Sequence, residues 1–187
     1  MGVALAECAS RMGASVNLVL GPVDIKPQSK KINVTNVINA ASMADACMSF
    51  FPDCDIAILA AAVADFTPVT VADNKIKKQK GEIVLKLKPA TDIAAALGKI
   101  KKQNQIIVGF ALETDDEFEN ARKKLLSKNM DFIVLNSLND KGAGFGYDTN
   151  KITIIDRNNT VDNFELKSKD EVAKDILNKV LTGLKEI

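Results

Sequence analysis

The sequence predicts a Rossmann-like α/β fold: a doubly wound, mostly parallel sheet with helices on both faces and an antiparallel hairpin at one edge. Three observations carry this. Apolar strands alternate with helical segments, as a parallel sheet requires, because each crossover must return the chain to the edge where the strands start. The run DIAILAAAV over residues 55–63 has no polar alternation and reads as a central strand buried on both faces. Residues 152–155 and 161–166 flank Arg157-Asn158-Asn159, the signature of a hairpin.

The elements follow in order. Residues 2–12 read as a helix with Val3, Leu5, Ala6 and Ala9 on its apolar face, ended by Gly13 in a left-handed conformation. The strand SVNLVL over 15–20 stops at Gly21-Pro22, and 32–37 is β-prone. Residues 40–50 are helical up to the break at Pro52-Asp53. Residues 65–81 are not core-like: they hold Pro68, Asp73-Asn74 and the lysines Lys75, Lys77, Lys78 and Lys80. In 82–88, Ile83, Leu85 and Leu87 alternate with Glu82, Lys86 and Lys88, which predicts a strand buried on one face, at a sheet edge or an interface. Thr91-Asp92 can cap a helix running through Leu97, and QIIVGF over 105–110 is a buried strand. Thr114 and Glu117 form a capping box for a helix to Ser127, followed by the strand DFIVLN over 131–136 and a glycine-rich loop over 142–146. Ser168 and Glu171 repeat the box ahead of a last helix with Val172, Ile176, Val180 and Leu184 on one face.

The first helix has no strand ahead of it, whereas a Rossmann-like sheet begins with a strand and a glycine turn. The expectation is a single domain over 1–187, truncated on its N-terminal side, with the first strand missing.

Composition narrows the chemistry. With 47% hydrophobic and 26% charged residues the chain is ordinary for a globular domain, and a formal net charge of +1 gives no footprint for nucleic acid or a membrane surface. No apolar run approaches a membrane span and no signal peptide is visible, so the expected location is the cytoplasm. Three scattered cysteines, Cys8, Cys47 and Cys54, make neither a disulfide framework nor a metal site, and Cys8 and Cys47 read as small core residues. The chain has no histidine. That removes Ser-His-Asp and Cys-His nucleophile systems within the chain and leaves proton transfer to Lys, Asp, Glu, Tyr or water. Chemistry resting on charge neutralisation and positioning gains by comparison.

Ligands of an open α/β sheet bind beyond the carboxyl ends of its strands, which selects residues 60–65, 110–114, 136–139 and Gly21-Pro22. In LAAAVADF, small side chains let a ligand approach the backbone, and Asp65 could accept from a ribose or help hold magnesium; a capping aspartate at a strand end gives the same pattern. The lysines of 75–80 could neutralise a phosphate or form a solvated loop. Lys124 and Lys128, four apart on one helix, repel by a few tenths of a kcal/mol, which bound phosphate or plain solvation would relieve. The helix start at Thr91-Asp92-Ile93 offers backbone donors to phosphate, or is an ordinary cap. The loop GAGFG follows no strand-to-helix turn of the phosphate-loop type, so it reads first as a structural turn.

Together, AAVADF, KIKK, PATDIA, VGFALET, the lysine-bearing helix, DFIVLN and GFGYDTNKITII resemble phosphopantothenoylcysteine synthetase, from about Met1 to the last helix. The resemblance implies a ligase of coenzyme A biosynthesis. It would activate the carboxylate of 4′-phosphopantothenate with a nucleoside triphosphate, release pyrophosphate from an acyl-nucleotidylate, and join the acyl group to the amine of cysteine, with Mg2+ required. CTP is usual in bacterial members and ATP in eukaryotic ones; the order of the motifs favours CTP. It implies that Lys75 stabilises the transferring α-phosphate and that Ala62 contacts the phosphopantothenoyl group through its backbone. Asp65 would bind the nucleotide with its metal. Leu59, Ala60, Ala61, Thr91, Asp92, Ile93, Ala94 and Phe110 would line the nucleotide site, and Lys124 and Lys128 would hold the triphosphate. It further implies a homodimer, with the segment after Asp65 reaching toward the partner, and a decarboxylase fused or working alongside; FMN enters only with such a domain. The family's serine-asparagine loop that holds the acyl intermediate is represented here only by its Met-Gly end, so part of the phosphopantothenate site is expected to be missing and this chain alone may be inactive. Two other classes stay open on residues alone: an NAD(P)-binding Rossmann oxidoreductase, disfavoured by Gly21-Pro22 after its strand, and a non-catalytic dimerising remnant.

Overall fold

The structure is a computed structural model that describes residues 1–72, 74–77, 82–113, 116–137 and 148–185. Lys78, Lys80, Thr114, Asn139 and the glycine-rich loop 142–146 lie outside the described residues.

Helix α1 (Gly2–Arg11) leads through Gly13, at φ +93°, into β1 (Val16–Leu20), which pairs in parallel with β2 (Ile32–Asn36). Helix α2 (Ala40–Phe50) is held at its start by a capping box between Asn39 and Ser42 and ends in a single 3-10 turn, Phe51–Asp53. Then come β3 (Ile56–Leu59), the short β4 (Phe66–Pro68) and β5 (Leu87–Pro89), helix α3 (Ile93–Ile100), β6 (Ile106–Glu113), helix α4 (Glu117–Ser127) and β7 (Phe132–Ser137). The chain closes with β8 (Thr149–Asn150), β9 (Ile152–Asp156), β10 (Val161–Asn163), β11 (Lys167–Ser168) and α5 (Lys169–Lys185).

The main sheet has five strands in the order β10-β9-β7-β6-β3. Strands β3, β6 and β7 run parallel, while β9 and β10 are antiparallel to their neighbours, which is the expected edge hairpin. Helices cover both faces. Ile106, Val108, Phe132, Val134, Ile152 and Ile154 meet α1 and α5 on one side. Ile107, Ala111, Ile133, Leu135 and Ile155 meet α2, α3 and α4 on the other. Successive residues of one strand thus enter different cores, as the two-residue period of a strand demands. The doubly wound α/β expectation is met. No helix of the described residues is long and apolar enough to cross a membrane.

Buried polar groups are bonded at the base of the sheet. Gln105, 2% exposed, donates through Nε2 to the carbonyls of Phe51 and Cys54, each at 2.7 Å, and its Oε1 accepts from Lys102 N–H at 2.9 Å. One Asp131 oxygen accepts from Ile107 N–H at 2.7 Å and the other meets the Lys101 ammonium. Cys8 is buried, and Cys47 and Cys54 are half-buried free thiols.

Two expectations change. The apolar run 55–63 is strand only over Ile56–Leu59, and those four residues are half-buried rather than buried, because β3 is the edge of the five-stranded sheet. The alternating segment 82–88 is not half-buried: residues 82–89 are all exposed, and strand pairing begins only at Leu87. It leaves the body as an arm with β4, so nothing in the described chain covers its apolar side.

Gly98 lies in α3 where a Cβ would overlap the Lys128 carbonyl oxygen, whereas a Cβ at Gly109 would meet the flexible thioether of Met130. Gly98→Ala should therefore destabilise the protein by about 1–3 kcal/mol, despite the ~1 kcal/mol that alanine normally gains over glycine inside a helix. Gly109→Ala should cost less, and urea unfolding midpoints of the two variants give the comparison.

Candidate functional site

The carboxyl edge of the parallel strands is built from small side chains. Leu59 pairs with Gly109, which brings Ala60 beside Phe110, and both are partly buried against the α1–α5 core. Leu59 and Val63 pack on the opposite core, together with Ala94 of α3. Ala61, Ala62, Ala64 and Asp65 are exposed. Over 60–62 the backbone crosses the sheet edge with nothing larger than a methyl group on it, so a flat or anionic ligand can reach its N–H and C=O groups.

The arm fixes what stands next to this edge. Ala90 N–H donates to the Asp65 carbonyl at 2.8 Å, and Phe66 pairs with Pro89. The chain therefore leaves and rejoins the body at one point, which sets Asp65 beside Thr91-Asp92. Asp92 is the N-cap of α3 and accepts from Ala95 N–H at 3.0 Å. Its other oxygen pairs with Lys128 Nζ at 2.9 Å.

Lys128 reaches Asp92 by running back along α3. Its backbone closes on Gly98, and Asn129 Nδ2 donates to the Gly98 carbonyl at 2.8 Å. Gly98 lies about 9 Å along the helix from Asp92, at 1.5 Å per residue, a span that an extended lysine and the helix crossing together cover. Lys124 sits one turn earlier on the same face of α4 and is exposed.

Partial burial alone would push the Asp92 carboxyl up. The hydrogen bond from Ala95 and the bond and charge of Lys128 outweigh it and hold the group below the usual carboxylate range. The sequence left the helix start as either a set of free donors or an ordinary cap, and Lys128 as either a phosphate ligand or a solvated charge. Here Asp92 answers both: it accepts from the first turn and neutralises Lys128.

The structure thus brings Leu59, Ala60, Ala61, Phe110, Asp65, Thr91, Asp92, Ile93, Ala94 and Lys128 to one edge. Ala62 follows directly, with its backbone at the surface. Lys75 is exposed on the arm, and among the described residues it has no ion-pair partner. No contact of the described residues ties Lys75 to the strand ends. The Asp92–Lys128 pair is the part of the site that sequence reasoning missed. The cap was legible from Thr91-Asp92, but nothing local to a residue on α3 signals a counterion at the end of α4.

Among the described residues no three Cys, Asp or Glu side chains gather as a metal cage. The donor set at this edge is the exposed carboxylate of Asp65, which suits magnesium: that ion commonly takes one or two carboxylates and completes its shell with phosphate oxygens and water.

Comparison with known proteins agrees with this architecture. Residues 1–184 match the family described as DNA/pantothenate metabolism flavoprotein C-terminal domain. The chain is 63% identical over 182 residues to a "Cysteine/Cysteine sulfinic acid decarboxylase" of an unknown prokaryotic organism, covering 97% of this chain and 51% of that protein. It is 46% identical over 180 residues to the coenzyme A biosynthesis bifunctional protein CoaBC of Bacillus subtilis, covering 96% of this chain and 44% of that protein. The chain spans about half the length of the curated relatives it matches. Among solved structures, the crystal structure of the C-terminal domain of a CoaBC protein superposes with a TM-score of 0.84 at 32% identity, over 100% of this chain and 83% of that one. The chain belongs to the DNA/pantothenate metabolism flavoprotein C-terminal domain family, the family that its motifs resemble through phosphopantothenoylcysteine synthetase.

Proposed function

We propose that this domain is the phosphopantothenate–cysteine ligase of coenzyme A biosynthesis, working in the cytoplasm with CTP in preference to ATP. The observation that carries the reading is the convergence of a small-residue strand edge, the capped start of α3 and the Lys128 ammonium at one point, in a chain of this family. A carboxylate oxygen of 4′-phosphopantothenate attacks the α-phosphorus of the nucleotide and pyrophosphate leaves. The cysteine amine then attacks the acyl carbon, the nucleoside monophosphate leaves, and the amine proton passes to water. Neither step calls for a histidine base.

The chain's own groups divide this work. The backbone at Ala60–Ala62 seats the acyl phosphate, and Phe110 and the first turn of α3 bound the nucleotide. Lys128 exchanges Asp92 for a phosphate oxygen, with Lys124 one turn away. Lys75, carried on the arm, closes over the α-phosphate and offsets the charge that develops there. Asp65 would hold Mg2+, which when bound supplies charge neutralisation across the phosphates.

The family match favours this over an NAD(P)-dependent oxidoreductase. The decarboxylase name belongs to a protein about twice as long. A solved C-terminal domain covers this chain throughout, which favours assigning decarboxylation, with its FMN, to a fused or partner domain.

The arm suggests a homodimer. Ile83, Leu85 and Leu87 are 59%, 62% and 54% exposed, and apolar patches of this kind mark contact surfaces.

Three outcomes test the reading. In a protein carrying this domain at the full length of its bacterial relatives, Lys75→Gln should suppress pyrophosphate release measured with CTP and phosphopantothenate in the absence of cysteine; full release would remove Lys75 from the mechanism. Lys128→Ala should weaken CTP binding by calorimetry and raise the Asp92 pKa followed by carbon NMR. Because the folded Asp92 pKa is depressed, its stabilising share is present at neutral pH and lost as pH falls through that depressed value; the variant should keep only the part of this dependence that the Ala95 hydrogen bond supports. Leu85→Glu should shift sedimentation toward the monomer without lowering the unfolding temperature of the body.

A further inference from the structure

Two asparagines meet among the apolar residues on the α1–α5 side of the sheet. Asn136 follows Phe132 and Val134 on β7 and shares their face, close to the carboxyl end of the strand. Asn150 stands on β8, just ahead of Ile152, the residue that pairs with Asn136. Asn150 Nδ2 donates to Asn136 Oδ1 at 3.1 Å. Asn150 is 2% exposed, whereas Asn136 is half-buried.

The bonding of this pair is one-sided. Asn150 Oδ1 is buried and accepts from no group. An unbonded carbonyl oxygen inside a protein is costly, and natural structures hold few of them. A leucine would fill much the same space without that cost. What the asparagine adds is its donor. That donor occupies the Asn136 oxygen, so the Asn136 amide is held one way round, with its Nδ2 turned away from Asn150. Nδ2 carries two N–H donors, and among the described residues nothing accepts from them. Asn150 is itself held firmly. Its backbone lies opposite Lys167 in the β8–β11 ladder, and Lys169 N–H donates to the Asp148 carbonyl at 3.1 Å.

Register places the free donors. Leu59 pairs with Gly109, Phe110 with Val134 and Leu112 with Asn136. Asn136 therefore stands two strands across from Ala60, on the same face, about 10 Å away at the usual strand spacing. The start of α3 lies on the opposite face, where Ile93 and Ala94 pack, and it carries the Asp92–Lys128 pair. One edge of the sheet thus offers a cation and a helix start on one side and neutral amide donors on the other. The nucleotide has its counter-charge on the first side. The amide donors suit an oxygen of a ligand that runs along the strand ends from Ala60–Ala62.

We propose that Asn150 is a positioning residue for the acyl substrate: it locks Asn136 with Oδ1 inward and Nδ2 toward the carboxyl edge, where Nδ2 donates to a substrate oxygen. The identity of that substrate as phosphopantothenate rests on the ligase reading above.

The test is calorimetry on a protein carrying this domain at the full length of its bacterial relatives. Asn150→Ala should weaken phosphopantothenate binding about tenfold, the worth of one hydrogen bond to a charged or strongly polar group, and leave CTP binding unchanged. Asn136→Ala should do the same. The double variant should lose no more than Asn136→Ala alone, because Asn150 acts only through Asn136. Additive losses, or equal losses for CTP and phosphopantothenate, would overturn the proposal by showing a general structural role. Asn136→Asp, at the half-buried position, covers the case in which substitution at 150 prevents folding: it keeps the acceptor for Asn150 but removes the donors, and unchanged phosphopantothenate affinity there would also overturn the proposal. A parent protein that binds phosphopantothenate in this Asn150-dependent way but releases no pyrophosphate from CTP would sink the ligase reading and leave the positioning role standing.

Discussion

Strand β6 sets the terms for the rest of the molecule. It is paired on both edges and covered on both faces, so each of its groups has to be apolar or bonded. Ile106 and Val108 face α1 and α5 while Ile107 and Ala111 face α2, α3 and α4, so a slip of one residue would exchange the two cores. The polar groups at its entrance follow from the same demand. Gln105 makes three hydrogen bonds to the turn and loop around it, and Asp131 takes the Ile107 N–H while sharing the Lys101 charge. Removing one partner of such a set leaves the other desolvated, which is why these polar residues sit in full bonding rather than as isolated exceptions.

The proposed chemistry grows from where that rigid strand stops. The carboxyl edge offers backbone rather than side chains, and the cation seen there, Lys128, reaches in from the end of α4. A half-exposed pair such as Asp92–Lys128 is worth at most about 1 kcal/mol. A triphosphate can therefore take over Lys128 at small cost, with Asp92 still capping α3. The pair keeps the lysine extended along α3, so less side-chain freedom remains to be lost on binding.

Local signals were legible in the sequence and distant ones were not. The Asp92 cap and the Ser168–Glu171 box follow from side chains bonding to backbone within one turn, the end of α2 follows from the break at Pro52-Asp53, and the structure has all three. The two-faced burial of β6 and β7 and the antiparallel edge hairpin were equally readable, because period and turn chemistry act over a few residues. The meeting of Asp92 with Lys128 was not, since it depends on how α4 crosses α3 at Gly98, and one glycine in a helix does not say which backbone it admits. Of the strand ends predicted to carry the site, those of β3 and β6 meet at Ala60 and Phe110, while no contact in the described chain ties Lys75 to that edge.

The two places where pattern and burial disagree have different physical characters. An apolar run reports that a surface wants to leave water; it does not report what will cover it. In the arm the unmet demand is side-chain area: Ile83, Leu85 and Leu87 stand in solvent, and at about 25 cal/mol per Å2 any flat apolar partner would be favoured, with little dependence on backbone register. At β3 the side chains are already half-covered by helices, and what is left unpaired at this sheet edge among the described residues is main chain, which water also satisfies. The first exposure is therefore a matter of side-chain area and the second of backbone pairing, which is why similar apolar runs in the sequence reach different burial in the structure.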